Sequence, residues 1–355
     1  MPEDRDRVTL VIGGKAYGGW TSIAIQRDLD ALAPSFELGV TSRDPITRAA
    51  WPITPDQPCR VEIGGETVIT GWVDSLTPEI DGENHSISVA GRGRAGDLVD
   101  CAAIAKPGSW RGRRLEQIAG ELAKPFGISV VARTSTGAPF RLFALQPGET
   151  VSEAILRLCQ QRGLLAVSTP AGDIEIITAE PVGPAVRIVE GEQPMRISAR
   201  HDVSNRFSRY VVKGQAAGDD DVNGTAAAAP TASASDPAVK RYRPTIVMAE
   251  DQADIATLRK RAAWEAIVRA ARAQEATVTL AGWRRDDGKL WSEMQAVDAD
   301  LPSVWITAPL VAAGISFRLD EDEGQRVEIR LARKEAYTQL AIPDRAEAAR
   351  LEKAA

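Results

Sequence analysis

The chain has little of what acid–base or metal chemistry needs. Only two histidines, His85 and His201, occur in 355 residues, and histidine is the side chain that titrates nearest neutrality. The three cysteines, Cys59, Cys101 and Cys159, are odd in number and too widely spread for a zinc-ligand spacing. That excludes a disulfide framework and a zinc ribbon, and all three read as small buried hydrophobes. No apolar run approaches the ~20 residues of a membrane helix, so no membrane insertion is expected. No apolar core or small-residue cleavage site follows the charged start MPEDRDRVTL; the expectation is a chain without a signal peptide, made in a cytoplasm. Cationic excess is missing too, since 43 Lys and Arg stand against 49 Asp and Glu for a net charge of −6. A chain-wide basic footprint for gripping duplex DNA is thereby excluded, though DNA passing nearby is not.

What is present is ordinary globular composition, 44% apolar and 26% charged, with length for two or three domains. From Val8 to about Gly91, short alternating runs such as RVTLVIGG, SFELGVTS, CRVEIGG and HSISVAG are bounded by Gly, Pro, Asp or Asn. That pattern predicts antiparallel strands joined by turns. The period then changes. Leu115, Ile118, Ala119 and Leu122 recur at helical spacing, and forty residues on Thr150 and Glu153 form a capping-box pair before a stripe of Val151, Ile155, Leu158 and Cys159. Gly163 ends that helix, and LLAVS and DIEIIT follow as a hairpin. Strands return after EPVGP and are interrupted twice. Gly214 to Pro244 is rich in Ala, Ser, Thr, Asp and Pro and is predicted to be a flexible excursion; residues 251–274 are predicted to be a helix with Ile255, Leu258, Ala262, Ile267 and Ala271 as its stripe. The segments Gly71–Arg92 and Gly314–Arg333 look alike, each a strand, an acidic turn and a strand. Aligned on Gly82 and Gly324, Ile87 falls against Ile329 and Val89 against Leu331. Hairpins share such features by chance, and a duplication is the alternative.

Motifs with chemical potential dissolve on inspection. GRGRAG, Gly91–Gly96, spells a dinucleotide fingerprint but follows an antiparallel region, so it reads as a turn closing the first β unit. GGKAYGG, Gly13–Gly19, lacks the Walker spacing and reads as a hairpin turn. The acidic runs LDEDEGQ and Asp219–Asp221 lack the alternating ligands of a calcium loop and read as solvated turns. No serine elbow, zinc-binding His-Glu motif or facing pair of carboxylates is present. No catalytic, cofactor or metal site is therefore expected. Eight tryptophans against four tyrosines is an unusual balance. Trp283, Trp291 and Trp305 read either as core or as anchors of a subunit contact. Arg261 and Arg269, with Arg259, Lys260 and Arg272, give the helix a basic side that is either solvated or meets an acidic partner.

The order of these pieces resembles a family. AGRGRAGDLVDCAA after the first β unit, GETVSEAILRLCQQRGLLAVSTPAGDIEI, VTLAGWRRDDGKLWSEMQAV and the closing RLARKEAY are similar to segments of the Mu-type baseplate hubs of contractile phage tails, whose fold is like that of the T4 hub. The likeness runs from the N-terminus to about Tyr337. It implies a mainly β fold with α+β parts: a first antiparallel β-barrel at residues 1–95, an inserted α+β domain at 96–182, a second similar barrel at 183–342 and a charged tail at 343–355. It implies a virion structural protein without enzymatic activity, a homotrimer with pseudo-sixfold symmetry. Its partners would be the tail tube, other baseplate proteins and a trimeric tail spike protein, with a channel that lets DNA through without specific binding. Assembly would take place in the host cytoplasm. The alternatives are a hub or spike base of a related contractile injection or secretion system, or a carbohydrate-binding tail component.

Overall fold

The structure, a computed structural model, describes residues 4–42, 52–80, 85–214, 230–249 and 255–341. The first β unit comprises β1 (Val8–Ile12), β2 (Lys15–Tyr17), β3 (Ser22–Asp28), β4 (Ala31–Ser42), β5 (Pro58–Ile63), β6 (Glu66–Ile80) and β7 (His85–Gly93). Period-two alternation sets its inner face: Val8, Leu10 and Ile12 in β1, Ile23 and Ile25 in β3, and Ile87 and Val89 in β7 are all buried. The strands pair antiparallel in the order β3-β4-β7-β6-β5-β1-β2.

The inserted α+β part comprises α1 (Ala95–Asp100), β8 (Ser109–Trp110), α2 (Leu115–Ala123), β9 (Val130–Ala132), β10 (Phe143–Ala144), α3 (Val151–Arg162), β11 (Leu165–Ser168) and β12 (Ile174–Ile177). Both expected helical stripes are buried, Leu115, Ile118, Ala119 and Leu122 against Val151, Ile155, Leu158 and Cys159. Thr150 caps α3 by accepting the Glu153 N–H at 3.2 Å while Glu153 accepts the Thr150 N–H at 2.8 Å. Gly163 closes the helix at φ 70, where a side chain would be strained.

The remaining elements are β13 (Val182–Val189), β14 (Pro194–His201), β15 (Arg209–Lys213), β16 (Thr231–Ser235), β17 (Pro244–Met248), α4 (Ile255–Arg272), β18 (Gln274–Ala281), β19 (Gln295–Leu301), β20 (Ile306–Asp320) and β21 (Gly324–Ala332). Three expectations need correction. Cys101, expected to be a small buried hydrophobe like Cys59 and Cys159, is exposed, because it sits just past the end of α1. Thr231–Ser235, inside the stretch expected to be flexible, is a strand of a three-stranded sheet, β16-β15-β17. Its Ala232 packs with Val212 against Leu258 and Ala262 of α4; small side chains fill the narrow gap beneath a helix, a use that composition does not reveal. The stripe of α4 runs through Leu258, Ala262, Glu265, Val268 and Ala271, leaving Ile255 and Ile267 exposed. The Asp219–Asp221 run and the tail from 343 lie outside the described residues.

The fold class expected from sequence holds: mainly β, with a large antiparallel sheet and α+β parts. The two β units follow one plan. The first is ordered β3-β4-β7-β6-β5-β1 and the second β14-β18-β21-β20-β19-β13, so each strand has a counterpart at the same place in chain order. The units differ in that β13 runs parallel to β19 whereas β1 runs antiparallel to β5, and in that β2, on the outer side of β1, has no counterpart among the described strands. Both central hairpins carry a bulge, at Val73/Ser75 in one and Ala312/Gly314 in the other. Matching the bulges sets Val89 against Ile329 and Ile87 against Val327, two residues from the alignment on Gly82 and Gly324. The units are fused edge to edge by β3 on β20, from Gly314 opposite Asp28 to Leu319 opposite Ile23, and share one core in which Leu10, Ile25, Val278, Phe317 and Ile329 belong to a single cluster.

Candidate assembly interface

The residues singled out in the sequence separate sharply by burial. Trp283 and Trp291 are 1% and 4% exposed, so they are core residues and do not present a surface to another chain. The Trp283 indole donates to the Arg318 and Arg326 carbonyls at 3.0 and 2.9 Å and meets Phe317 edge-on. Trp305 is the exposed one, at 79%. It follows the short turn Pro302–Val304 at φ 55, and its ring stands edge-on to His201 at 5.6 Å. His201 in turn bonds through Nε2 to the Val304 carbonyl at 2.9 Å. The exposed indole is thus pinned beside the end of β14.

Arg261 and Arg269 converge on one carboxylate. Glu265, 5% exposed, accepts from Arg261 Nε at 3.0 Å and from Arg269 Nε at 2.8 Å. A buried carboxylate is costly unless paired, so these two arginines serve the helix first. They line an open cleft of about 590 Å³ together with Arg200, Asp202, Trp264 and Arg272. At its mouth the Ser204 hydroxyl and amide, with Arg200, hold the Asp202 carboxyl down to about 2. The spacing Arg261, Glu265, Arg269 is i, i+4 twice over and could have flagged the buried acid from sequence.

A second buried charge escaped the sequence reading. Arg27 lies on the inward side of β3 with Ile23 and Ile25, a position alternation alone would have exposed as unusual. It donates to the Val68 and Ser168 carbonyls at 2.8 and 2.6 Å and pairs with Glu293 at 2.8 Å, tying both β units to the inserted part. The acidic hairpin turn is also occupied, because Arg326 pairs with Asp320 and Glu323. No cluster of three or more metal-binding side chains occurs among the described residues.

The edges of the sheet are unequal. β20 is used twice on one side: Ile306–Val311 pair with β19, and Gly314–Leu319 pair with β3. Its counterpart β6 is used once, because Glu66–Trp72 pair with β5 while Ser75–Ile80 pair with β7 alone among the described strands. The counterpart of β3 is β14, which pairs with β18 and ends the sheet. Among the described strands, β14 and the second half of β6 are therefore left open, as are the outer sides of β2 and β13; the first two are the counterparts of the pair that meets inside the chain.

This architecture is shared with known proteins. The chain is 33% identical to the baseplate hub protein gp44 of Escherichia phage Mu over 338 residues, 93% of this chain and 88% of that one. The chain belongs to the Mu-like phage baseplate hub family. Four family models cover successive parts of this hub: the N-terminal part of the Mu phage baseplate assembly protein GpP-like proteins at residues 7–93, the second domain of baseplate hub protein gp44-like proteins at 95–178, the third domain of tail protein NMB1110-like proteins at 206–263, and the fourth domain of Mu phage baseplate assembly protein GpP at 254–339. Among solved structures, the 43 kDa tail protein of prophage MuSo2 from Shewanella oneidensis is 33% identical, with a TM-score of 0.86 over 94% of the hub and 100% of that chain. The tail protein from Neisseria meningitidis is 25% identical with a TM-score of 0.80, covering 95% of the hub and 99% of that chain.

Proposed function

We propose that this hub works as a homotrimeric ring with pseudo-sixfold symmetry, joining the tail tube and its neighbouring baseplate proteins to a trimeric spike and leaving a channel for DNA. The carrying observation is the open pair of edges. Inside the chain, the first unit gives β3 to β20 of the second; the second unit has the same strand to give, β14, and the first has the same place to receive it, on β6. Such a contact is head-to-tail, and a head-to-tail contact closes a ring when the rotation between units divides a full turn. The role is geometric, and the hub acts without catalysis.

Passage of DNA without capture is supported by the solvent face of the sheet. Its more exposed arginines, Arg92, Arg196, Arg200 and Arg318, are each paired to a carboxylate, and Arg326 and Arg330 are more deeply buried in pairs of their own, so a wall built from this face offers little to phosphate. Assembly takes place in the host cytoplasm before the virion tail is complete. Light scattering of the purified hub should find three times the 38.1 kDa chain mass, with rings under negative stain. A monomer at micromolar concentration would count decisively against the ring.

A further inference from the structure

The repeated plan does more than suggest a ring, because it fixes which residues meet across each contact between copies. Matching the bulges makes Ala90 equivalent to Arg330, Glu37 to Thr277 and Ala24 to Ser198, since these residues occupy the same cross-strand rows. Within the chain, Phe317 lies opposite Ile25, Ile315 opposite Arg27 and Gly314 opposite Asp28. Resting on the ring reading, we propose that β14 pairs antiparallel with the second half of β6 of a neighbouring copy in the transferred register. That register sets Asp202 opposite the neighbour's Ser75, His201 opposite its Leu76, Arg200 opposite its Thr77, Ala199 opposite its Pro78 and Ser198 opposite its Glu79.

Three independent features fit that register. First, Leu76, Ile197 and Ala199 are only partly buried although they pack on the main core; all three fall on the inward side of the seam, where the neighbour completes their burial. Trp305, edge-on to His201, extends that row beside the neighbour's Leu76. Second, charges alternate correctly on the outward side. Glu79 falls between Arg196 and Arg200, and diagonal neighbours across a sheet are about 7–8 Å apart, within reach of long side chains. Third, each edge is protected against indiscriminate pairing, β14 by arginines and β6 by Pro78 and Glu79. The devices on the two edges are complementary to each other, and Pro78, lacking an N–H, removes at most one bond from the ladder.

Opposite residues in antiparallel strands have Cα atoms about 4.5–5.5 Å apart, within the span a disulfide bridges. The test is the full chain carrying Cys101→Ser, Leu76→Cys and His201→Cys. Oxidation should give covalent dimers and trimers on a denaturing gel, whereas Pro78→Cys with His201→Cys, two residues out of register, should give none. A particle of trimer mass that links only through the shifted pair, or through neither, overturns this register while leaving the ring intact; monomer mass in the unsubstituted protein overturns the ring itself. A second measurement stands apart from the cysteines. Glu79→Arg should weaken association about fivefold per seam, and adding Arg200→Glu should restore it. Failure of the second change to restore association also overturns the register.

Discussion

Replacing Trp283 and Trp291 by phenylalanine, one at a time, isolates the worth of a single buried hydrogen bond. The two indoles are alike in burial, 1% and 4% exposed, and each loses the same atoms. The common cost of lost contacts is about 1–2 kcal/mol, below the about 3–5 kcal/mol of truncation to alanine. They differ in what the indole N–H does. That of Trp283 is shared between the Arg318 and Arg326 carbonyls, which lie opposite each other on β20 and β21; that of Trp291 has no partner among the described residues. Stripping a buried acceptor of its donor costs about 1–3 kcal/mol. The carbonyls have second lone pairs, so the lower part of that range applies. Trp283→Phe should therefore destabilise by about 1–2 kcal/mol more than Trp291→Phe. Urea unfolding followed by circular dichroism, at one protein concentration, reads this as a lower midpoint at unchanged slope. Equal midpoints, or a lower one for Trp291→Phe, would refute the assignment of the indole bond.

Three smaller tests follow from the same structure. Thr150→Ala removes the α3 cap and should cost about 1 kcal/mol, or about 1–2 °C in Tm for a chain of this length; an unchanged calorimetric midpoint would show that the capping box contributes nothing. Burial, helped by the Asp74 charge, pushes the Cys59 thiol up to about 12, and burial alone does the same to Cys159, while Cys101 is exposed. At pH 8, Ellman's reagent should titrate one thiol quickly in the native hub and all three in denaturant, and two fast thiols would contradict the packing. The Arg206 guanidinium holds the Asp236 carboxyl below its usual value. Its contribution is thus complete above an unfolded pKa of about 3.9 and is lost as pH falls through the lower folded value. The protection of β16 amides, measured relative to the intrinsic exchange rate at each pH, should fall below pH ~4, and Asp236→Asn should flatten that dependence.

Local structure was readable wherever a residue's own neighbours decide it. Thr150, Glu153 and Gly163 announced α3 because a cap needs only three positions, and the alternation in HSISVAG announced β7 because one face of a strand is buried. What escaped were decisions made by distant partners. Thr231–Ser235 has a composition that cannot support a core alone, and becomes a strand because α4 covers it. Ile255 and Ile267 looked like stripe residues, yet the helix rolls toward Glu265 because two arginines neutralise it. Trp283 and Trp291 could be core or contact by type, and only tertiary placement separates them from Trp305. The likeness between hairpins was visible in two short segments. Its meaning lay in the pairing order of twelve strands, which no window of sequence contains.

The double use of β20 has a mechanical side. One uninterrupted backbone carries Ile306–Val311 on β19 and Gly314–Leu319 on β3, so load from the second β unit runs along β20 and crosses to the first through the β3 ladder. Pulling the units apart along the strand loads the β3 ladder in shear, where its bonds must yield together and not one after another. The pairings from Gly314 to Leu319 share that load between the units.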